Sequence, residues 1–389
     1  TANEGILYNK AFTEILYVPL NIQGKVSIVE GVTKIGSGCF KDRTGVTEIF
    51  IPDSVISIGV SAFVGCTQLT SMKIPDNVKT IGAAIFSGCY NLTELTLPFV
   101  GYKEVDNLLD QDSYPFGYIF GETYYYGSVA VKQTVRPPYV VRTYYVPQSL
   151  NKVTITGGKI LRDAFANCNM ISSIILPKGI TNIGMDAFAS CTSLTSIEIP
   201  NSVISIDFTA FYNCSSLTSI TIPDSVTAIE EGAFHGCSSL EFNEYAGVYY
   251  LGNANNPYLV LVEVKDNSVT SVTIHRDTKF ISEWAFYDCT LLTSVTIPDG
   301  VVSIGDYAFY NCTSLTGIII PYGVTFIGVF AFYNCNSLTS VTFENTRGWL
   351  VSASVWYIET NIASEELADP STAATYLKST YNYYYWKRS

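Results

Sequence analysis

Residues 292–312 read Leu-Thr-Ser-Val-Thr-Ile-Pro-Asp-Gly-Val-Val-Ser-Ile-Gly-Asp-Tyr-Ala-Phe-Tyr-Asn-Cys, and this stretch decides the fold. Residues 295–297 alternate apolar and polar side chains and are β-branched, which predicts a strand with one buried face. Residues 298–300, Pro-Asp-Gly, end that strand because proline presets φ and the next two residues accept bends. Residues 302–304 predict a second short strand, and residues 306–311 predict one helical turn that carries the Ala-Phe pair into the core.

The same unit recurs along the chain with a period of 23 residues. Ten phenylalanines mark it, in three blocks: Phe40, Phe63 and Phe86; Phe165, Phe188, Phe211 and Phe234; Phe286, Phe309 and Phe332. An isoleucine stands five residues before each of the ten, and a cysteine stands three residues after nine of them. A fixed period of this length is typical of a solenoid, in which each unit buries its apolar face only against its neighbours.

The strands of the repeat should stack side by side into one parallel sheet. Twelve strand triplets are present, and they begin at Val26, Ile49, Met72, Leu95, Val153, Ile174, Ile197, Ile220, Val272, Val295, Ile318 and Val341. At about 4.8 Å per strand they would span roughly 55 Å. The sequence therefore predicts a repeat solenoid with one parallel β-sheet, short second strands and helical turns.

The repeat is interrupted twice and needs a cap at each end. We predict a solenoid over residues 26–343, with insertions at residues 99–150 and 241–270 that emerge as loops on one face. The second insertion should contain a hairpin, because two Tyr- and Leu-rich runs flank a Gly/Asn turn. Residues 1–25 are predicted to form a capping hairpin. Residues 344–389 are predicted to form a C-terminal cap, with a helix over residues 373–386 after the Asp369-Pro370 start signal.

The motif Leu-x-x-Val-x-Ile-Pro-x-x-Val-x-x-Ile-Gly-x-x-Ala-Phe-x-x-Cys resembles the leucine-rich repeats of the BspA-like family of bacterial surface proteins. The resemblance covers roughly residues 26–343. It implies a leucine-rich-repeat-type right-handed coil in a secreted or cell-surface protein of a host-associated bacterium, with adhesion or host-protein binding as its role. It implies no catalytic residues, and the two insertions depart from the minimal repeat.

Composition excludes several classes of partner. The chain has 34 acidic and 22 basic residues, a net charge of -12, which argues against nucleic-acid binding. It contains no run of about 18 apolar residues, so we predict no membrane span in this chain. It begins Thr-Ala-Asn-Glu without a charged or apolar leader region, which predicts that a signal peptide is absent or removed.

The cysteines and histidines are interpreted as structural. Nine of the ten cysteines share one repeat position, so their side chains point the same way from neighbouring coils, an arrangement that fits disulfide geometry badly. We predict a ladder of buried free thiols. His235 and His275 supply too few partners for a zinc site. The recurrent aspartates at Asp53, Asp76, Asp224 and Asp299 follow proline in tight turns, which favours turn chemistry over a calcium site or lyase carboxylates. We predict no metal, no cofactor and no enzymatic activity.

Two surfaces are candidates for binding. The first insertion is rich in aromatic residues, namely Tyr114, Phe116, Tyr118, Phe120, Tyr124, Tyr125, Tyr126, Tyr139, Tyr144 and Tyr145. Tyrosine suits interfaces, and the predicted binding residues here are Tyr114, Phe116, Tyr118, Tyr124, Tyr125 and Tyr126. The alternative is that these side chains form a small core of their own.

The outward face of the sheet is the second candidate, with Lys73 and Glu198 among its threonines. Threonine ladders also favour strand pairing, so structure alone could explain them. From the residues and the resemblance together, we predict an adhesin-like, non-enzymatic protein, extracellular or on the cell surface. It would engage a host or bacterial surface protein through the sheet and the insertions. The alternative is a carbohydrate-binding surface protein that uses the Tyr-rich insertion.

Overall fold

The chain forms two compact units. The computed structural model describes residues 2, 3, 5–104, 114–135, 140–230, 232–352 and 360–388. The N-terminal unit comprises Thr1–Ile220 and Ser225–Leu240, and the C-terminal unit comprises Thr221–Asp224 and Glu241–Ser389. Each unit is a parallel β-solenoid of the leucine-rich-repeat type with a period of about 23 residues and little helix, which confirms the predicted fold class.

All twelve predicted strands form. Their bounds are Gln23–Ser27, Gly45–Phe50, Ser71–Lys73, Glu94–Leu97, Lys152–Ile155, Ser173–Ile175, Ser196–Glu198, Ser219–Thr221, Ser271–Thr273, Ser294–Thr296, Gly317–Ile320 and Ser340–Phe343. The third to the eighth make one six-stranded parallel sheet, and the others pair two by two. The sheet predicted as continuous is therefore interrupted in its hydrogen bonding.

The predicted second strands also form, and each is two residues long. They are Lys34–Ile35, Ser57–Ile58, Thr80–Ile81, Asn182–Ile183, Ser205–Ile206, Ala228–Ile229, Phe280–Ile281, Ser303–Ile304 and Phe326–Ile327. Neighbouring copies pair in parallel within each unit. Isoleucine ends all nine of these strands and is buried in every one except Ala228–Ile229, because alternate residues of a strand face opposite sides.

The predicted helical turn over residues 306–311 does not form. Tyr307 and Asn311 have φ angles of 53° and 62°, which a right-handed helix does not accept. The backbone instead turns twice, and three of its N–H groups donate to carbonyls of the following coil. These hydrogen bonds are Tyr307 N to Val329 O (3.0 Å), Phe309 N to Ala331 O (2.7 Å) and Asn311 N to Tyr333 O (2.9 Å). In the N-terminal unit, backbone N–H groups of every second residue in this turn likewise donate to carbonyls of the following coil. A third inter-coil ladder therefore runs along the phenylalanine column.

The core of each unit is a stack of repeated side chains. Phe165 and Phe188 lie 5.6 Å apart between ring centroids, and Phe286 and Phe309 lie 4.7 Å apart, both pairs with nearly parallel planes. All ten cysteines are free and buried, which confirms the predicted thiol ladder. Seven thiols donate to the phenylalanine carbonyl of the preceding coil at 3.0 to 3.2 Å, those of Cys66, Cys89, Cys191, Cys214, Cys237, Cys312 and Cys335. Cysteine therefore fills a small apolar site and satisfies a buried carbonyl.

The first insertion contributes to the core of the N-terminal unit. It contains a short 3₁₀ helix, Phe116–Ile119, and an antiparallel hairpin of Ser128–Val135 and Val140–Pro147. The ring of Phe120 lies 6.0 Å from that of Phe86, and the ring of Phe116 lies 4.9 Å from that of Phe165. These two side chains continue the phenylalanine column across the break in the repeat.

The second insertion forms the predicted hairpin. Val248–Leu251 pairs antiparallel with Val260–Val264, and Asn243–Tyr245 adds a third antiparallel strand. Val260–Val264 also pairs in parallel with Phe280–Ile281, so the hairpin joins the ladder of second strands in the C-terminal unit.

The chain ends carry short antiparallel strands and three brief helical elements. Ile6–Tyr8 pairs with Ala2–Asn3 and with Glu14–Tyr17, which pairs in parallel with Lys34–Ile35. Near the C-terminus, the remaining elements are strands Trp349–Ser352, Thr360–Asn361 and Tyr385–Arg388, α-helices Ser364–Leu367 and Pro370–Thr375, and a π-helix Tyr376–Thr380.

The bounds of the predicted C-terminal helix are wrong. The helix begins at Pro370, because the Asp369 carboxylate accepts from Ser371 N at 2.8 Å and Thr372 N at 3.2 Å. Helical structure ends at Thr380. Trp386 lies in a strand that pairs antiparallel with Phe326–Ile327 and Trp349–Ser352. Among the described residues, no helix has both the length and the apolar character needed to cross a membrane.

Candidate binding surfaces

Lys73 and Glu198 lie on the outward face of the six-stranded sheet. Both side chains are exposed, and each is the last residue of its strand. The parallel register aligns Lys73 with Thr96, Thr154 and Ile175, and Glu198 occupies the next place in that row. Four strand spacings separate the two charges, roughly 19 Å. The two side chains therefore lie on the same face of the sheet but are too far apart to form an ion pair.

The neighbouring outward row carries paired charges. The ammonium of Lys152 lies 3.4 Å from a Glu94 carboxylate oxygen, and the remaining positions of this row are serines. On the adjoining two-stranded pair, Lys25 and Glu48 are 2.7 Å apart. These pairs are largely exposed, so each contributes less than about 1 kcal/mol to stability. The face is polar and locally neutral in charge.

The sheet face also exposes apolar side chains. Ile175 is 49% exposed in the row that contains Lys73 and Glu198. Phe50, on the adjoining pair of strands, is 49% exposed as well. Single exposed apolar side chains are common on protein surfaces, so these two residues do not by themselves mark an interface. Sequence reasoning missed these two residues, although their strand positions alternate with buried ones and so predict an outward direction.

The predicted tyrosines of the first insertion divide into surface and core residues. Tyr126 is 85% exposed and Tyr124 is 66% exposed, whereas Tyr125 between them is partly buried and burial raises its pKa. The Tyr124 ring contacts the Tyr145 ring edge-on at a centroid distance of 5.6 Å. Tyr124 and Tyr126 are therefore available to a ligand.

Tyr114 and Tyr118 form a small aromatic cluster with Tyr102. The ring centroids of Tyr114 and Tyr118 are 4.5 Å apart, and that of Tyr102 is 6.2 Å from each. Burial raises the pKa of Tyr118 to about 12. Sequence reasoning missed Tyr102, although it lies in the predicted insertion and is aromatic like the residues that were selected.

Phe116 is not on the surface. It is 0% exposed and packs in the phenylalanine column, so it belongs to the core and its side chain is not accessible to a ligand. Its neighbour Phe120 is also fully buried. Tyr139, the other aromatic residue of the insertion named above, lies outside the described residues.

The histidines sit among aromatic rings. The His235 ring stacks on Tyr212 at 5.5 Å. The His275 ring lies 4.0 Å from Tyr258 and 4.8 Å from Tyr245, and its Nδ1 accepts a hydrogen bond from Asp277 N at 3.3 Å. Within the described ranges, no three His, Cys, Asp or Glu side chains converge as metal ligands.

Comparison with solved structures gives similar repeat proteins of low identity. A leucine-rich repeat protein from Bacteroides ovatus ATCC 8483 is 23% identical, with 85% of this chain and 83% of that chain covered and a TM-score of 0.37. A leucine rich cell surface protein from Faecalibacterium prausnitzii A2-165 is 23% identical, with 88% and 93% covered and a TM-score of 0.30. A leucine rich repeat protein of T. pallidum is 27% identical, with 48% and 77% covered and a TM-score of 0.28. The chain has no match among curated proteins.

The repeats show the family to which this chain belongs. The BspA type leucine rich repeat region matches in six copies, over residues 16–107, 146–253 and 264–362. These ranges cover about three quarters of the chain and include both compact units. The matched copies carry the Ile, Phe and Cys positions that build the buried columns described above. The chain therefore belongs to the BspA-type leucine-rich-repeat family.

Proposed function

We propose that this chain is a non-enzymatic binding protein, secreted or held at a bacterial cell surface. It engages a protein partner through the six-stranded sheet and the first insertion of its N-terminal unit. The observation that carries the proposal is the outward sheet face, where Lys73, Ile175 and Glu198 stand exposed in one straight row. Membership of a repeat family of bacterial surface proteins supports a binding role.

The dimensions of the face suit a protein. Six strands at about 4.8 Å spacing give a surface roughly 24 Å wide. A stable protein complex buries about 800 Å² on each partner, so a partner would need to contact the first insertion as well as the short strands of this face. Short serine and threonine side chains lose little rotamer freedom on binding, because they have few rotatable bonds.

The core chemistry supports a role without catalysis. The repeated cysteines are buried, and burial raises the pKa of Cys66 and of Cys191 to about 12, far from the range of a nucleophile at neutral pH. The repeated phenylalanines pack against one another. The side chains that recur in every coil therefore serve packing.

The test is a paired screen of the intact chain against extracellular-matrix proteins and a glycan array. We expect saturable binding to a matrix protein, with affinity reduced by Lys73→Ala, Glu198→Ala and Ile175→Ala. The apolar Ile175→Ala should have the largest effect, because buried contacts at the centre of an interface dominate affinity. Thr296→Ala, on a strand of the C-terminal unit, is the matched control and should leave binding unchanged. Binding that none of the three sheet variants weakens would refute the proposal.

A second candidate function is carbohydrate binding by the first insertion. The high exposure of Tyr124 and Tyr126 favours it, because sugars pack their C–H groups against aromatic faces. On this alternative, Tyr124→Ala and Tyr126→Ala would abolish glycan binding, whereas Lys73→Ala and Glu198→Ala would not change it. Tyr145→Phe is the matched control, because it keeps the ring that contacts Tyr124.

A further inference from the structure

Gln133 is a polar side chain in an apolar row of the first insertion. It lies on the strand Ser128–Val135 between Val131 and Val135, which are both buried, and it is itself 1% exposed. A side-chain amide is costly to bury unless it is hydrogen-bonded, so a glutamine at an inward strand position is informative. This amide lies against the thiol of Cys168.

Cys168 departs from the other thiols of the ladder. Seven of the periodic thiols donate to the phenylalanine carbonyl of the preceding coil, and Cys168 is not one of them. The first insertion lies where that preceding coil would be, and Gln133 Nε2 approaches Cys168 Sγ at 3.7 Å. Both side chains are buried, so a thiol and a carboxamide meet inside the core of the N-terminal unit.

Two backbone groups fix the orientation of the Gln133 amide. Gly117 N donates to Gln133 Oε1 at 2.8 Å, and Gln133 Nε2 donates to Ala166 O at 3.0 Å. The first hydrogen bond polarises the amide carbonyl and stabilises negative charge that develops on Oε1, as an oxyanion hole does. The second holds the amide nitrogen in place. Together they keep the carbonyl carbon beside Cys168 in one orientation.

We propose that Cys168 and Gln133 form an internal thioester that joins the first insertion covalently to the solenoid. Cys168 Sγ adds to Gln133 Cδ, the C–N bond of the amide breaks, and the thiol proton leaves with the nitrogen as ammonia. One C–S bond replaces one C–N bond, so the step needs no oxidant, reductant or other co-reactant. The free thiol and the intact amide of the structure are the two reactants of this step.

Burial slows the formation of this bond and protects it afterwards. It raises the pKa of Cys168, so the attacking group is the neutral thiol. The bond forms once per molecule and needs no catalytic rate, and well-positioned reactants reach effective concentrations of about 10⁵ M or more. Burial of Gln133 and Cys168 also keeps water away from the product. The thioester therefore persists in the folded protein and reacts with primary amines when the N-terminal unit opens.

The test is mass spectrometry of the intact chain, followed by peptide mapping without a reducing agent. We expect a mass that is lower than that of the sequence by one ammonia, and a proteolytic peptide in which residues 133 and 168 are joined. Methylamine added during unfolding should open the thioester, because an amine displaces the thiol. The mass should then exceed that of the sequence by one methylene group, and iodoacetamide should label Cys168.

Cys168→Ala removes the sulfur and should have the full mass of its sequence. Cys191→Ala, in the next coil of the same column, is the matched control and should still lack one ammonia, because the Cys191 thiol donates to Phe165 O.

A parent mass equal to that of the sequence overturns the proposal, as does a loss of ammonia that Cys168→Ala retains. The peptide map of the parent protein decides the question even if Cys168→Ala does not fold. Neither result bears on the proposed protein-binding face, because Gln133 and Cys168 are buried and do not belong to it.

Discussion

The turn that precedes each core phenylalanine differs between the two units. The N-terminal unit has Ser61 and Ala84 at this position, with Val64 and Ser87 beside the phenylalanines that follow. The C-terminal unit has aromatic residues at both positions, with Tyr307 and Phe330 before the phenylalanine and Tyr310 and Tyr333 after it. Both units nonetheless repeat the same Ile, Phe and Cys positions inside. Side chains that face the core are constrained by neighbouring coils, whereas those on the turn surface can change without altering the backbone path.

The largest expected effect tests whether the two interiors are equivalent. Phe188→Ala in the N-terminal unit and Phe309→Ala in the C-terminal unit each remove a fully buried ring stacked between two others. Each should lower the free energy of unfolding by about 3–5 kcal/mol, from lost burial and the cavity left behind. Equilibrium denaturation in urea measures both. A loss below about 1 kcal/mol in one unit would show that its column can collapse and that the interiors differ.

The thiol ladder gives a second test, in which the units should again agree. Burial raises the pKa of Cys191 in the N-terminal unit and of Cys289 in the C-terminal unit from 9.0 to about 12. The folded state keeps its thiols protonated after the unfolded chain has begun to lose those protons. The contribution of the buried, protonated thiols to the free energy of unfolding is therefore fully present below about pH 9. It is lost as the pH rises from about 9 to about 12.

Two measurements check this behaviour. Unfolding midpoints should fall steadily above pH 9, and iodoacetamide should label the cysteines only after denaturation. The Cys191→Ala variant should show a shallower alkaline slope than the parent protein, whereas Ser172→Ala, at a half-buried position outside the thiol ladder, should not change the slope. Rapid labelling of the native protein at pH 8 would contradict a buried, protonated ladder.

The smallest expected effect tests the difference between the turns directly. Ser61 has a φ of 57°, so Ser61→Gly should raise the free energy of unfolding by about 0.5–1 kcal/mol through relief of left-handed strain. Phe330→Gly relieves the same strain at φ 54° but also removes a ring that contacts Tyr307 and Tyr333. It should therefore give no gain in stability. Thermal denaturation of the two variants compares them, and equal stabilisation would mean that the Phe330 ring contributes nothing to the stability of the fold.

Most of the repeated structure could be predicted from the sequence. Each of the twelve predicted strands forms, because a buried strand position must be apolar in every copy and the copies reinforce one another. The buried thiols could also be predicted, since a single repeat position imposes one side-chain direction. The candidate binding surfaces could be predicted only as regions. Lys73 and Glu198 are exposed as their strand alternation requires, but no repeated pattern distinguishes Tyr126 on the surface from Phe116 in the core.

The sequence by itself determined the solenoid, its period, its strands and its buried columns, because 23-residue periodicity specifies which side chains face inward. Only the tertiary structure decided how the turn before each cysteine is built. Residues such as Tyr307 and Asn311 adopt positive φ there to align their N–H groups with the carbonyls of the following coil, and local propensity does not contain that requirement. Only the tertiary structure also placed Phe116 and Phe120 in the phenylalanine column. A non-repeated segment has no neighbouring copy to set its register, so the direction of its side chains depends on contacts with distant residues such as Phe86 and Phe165.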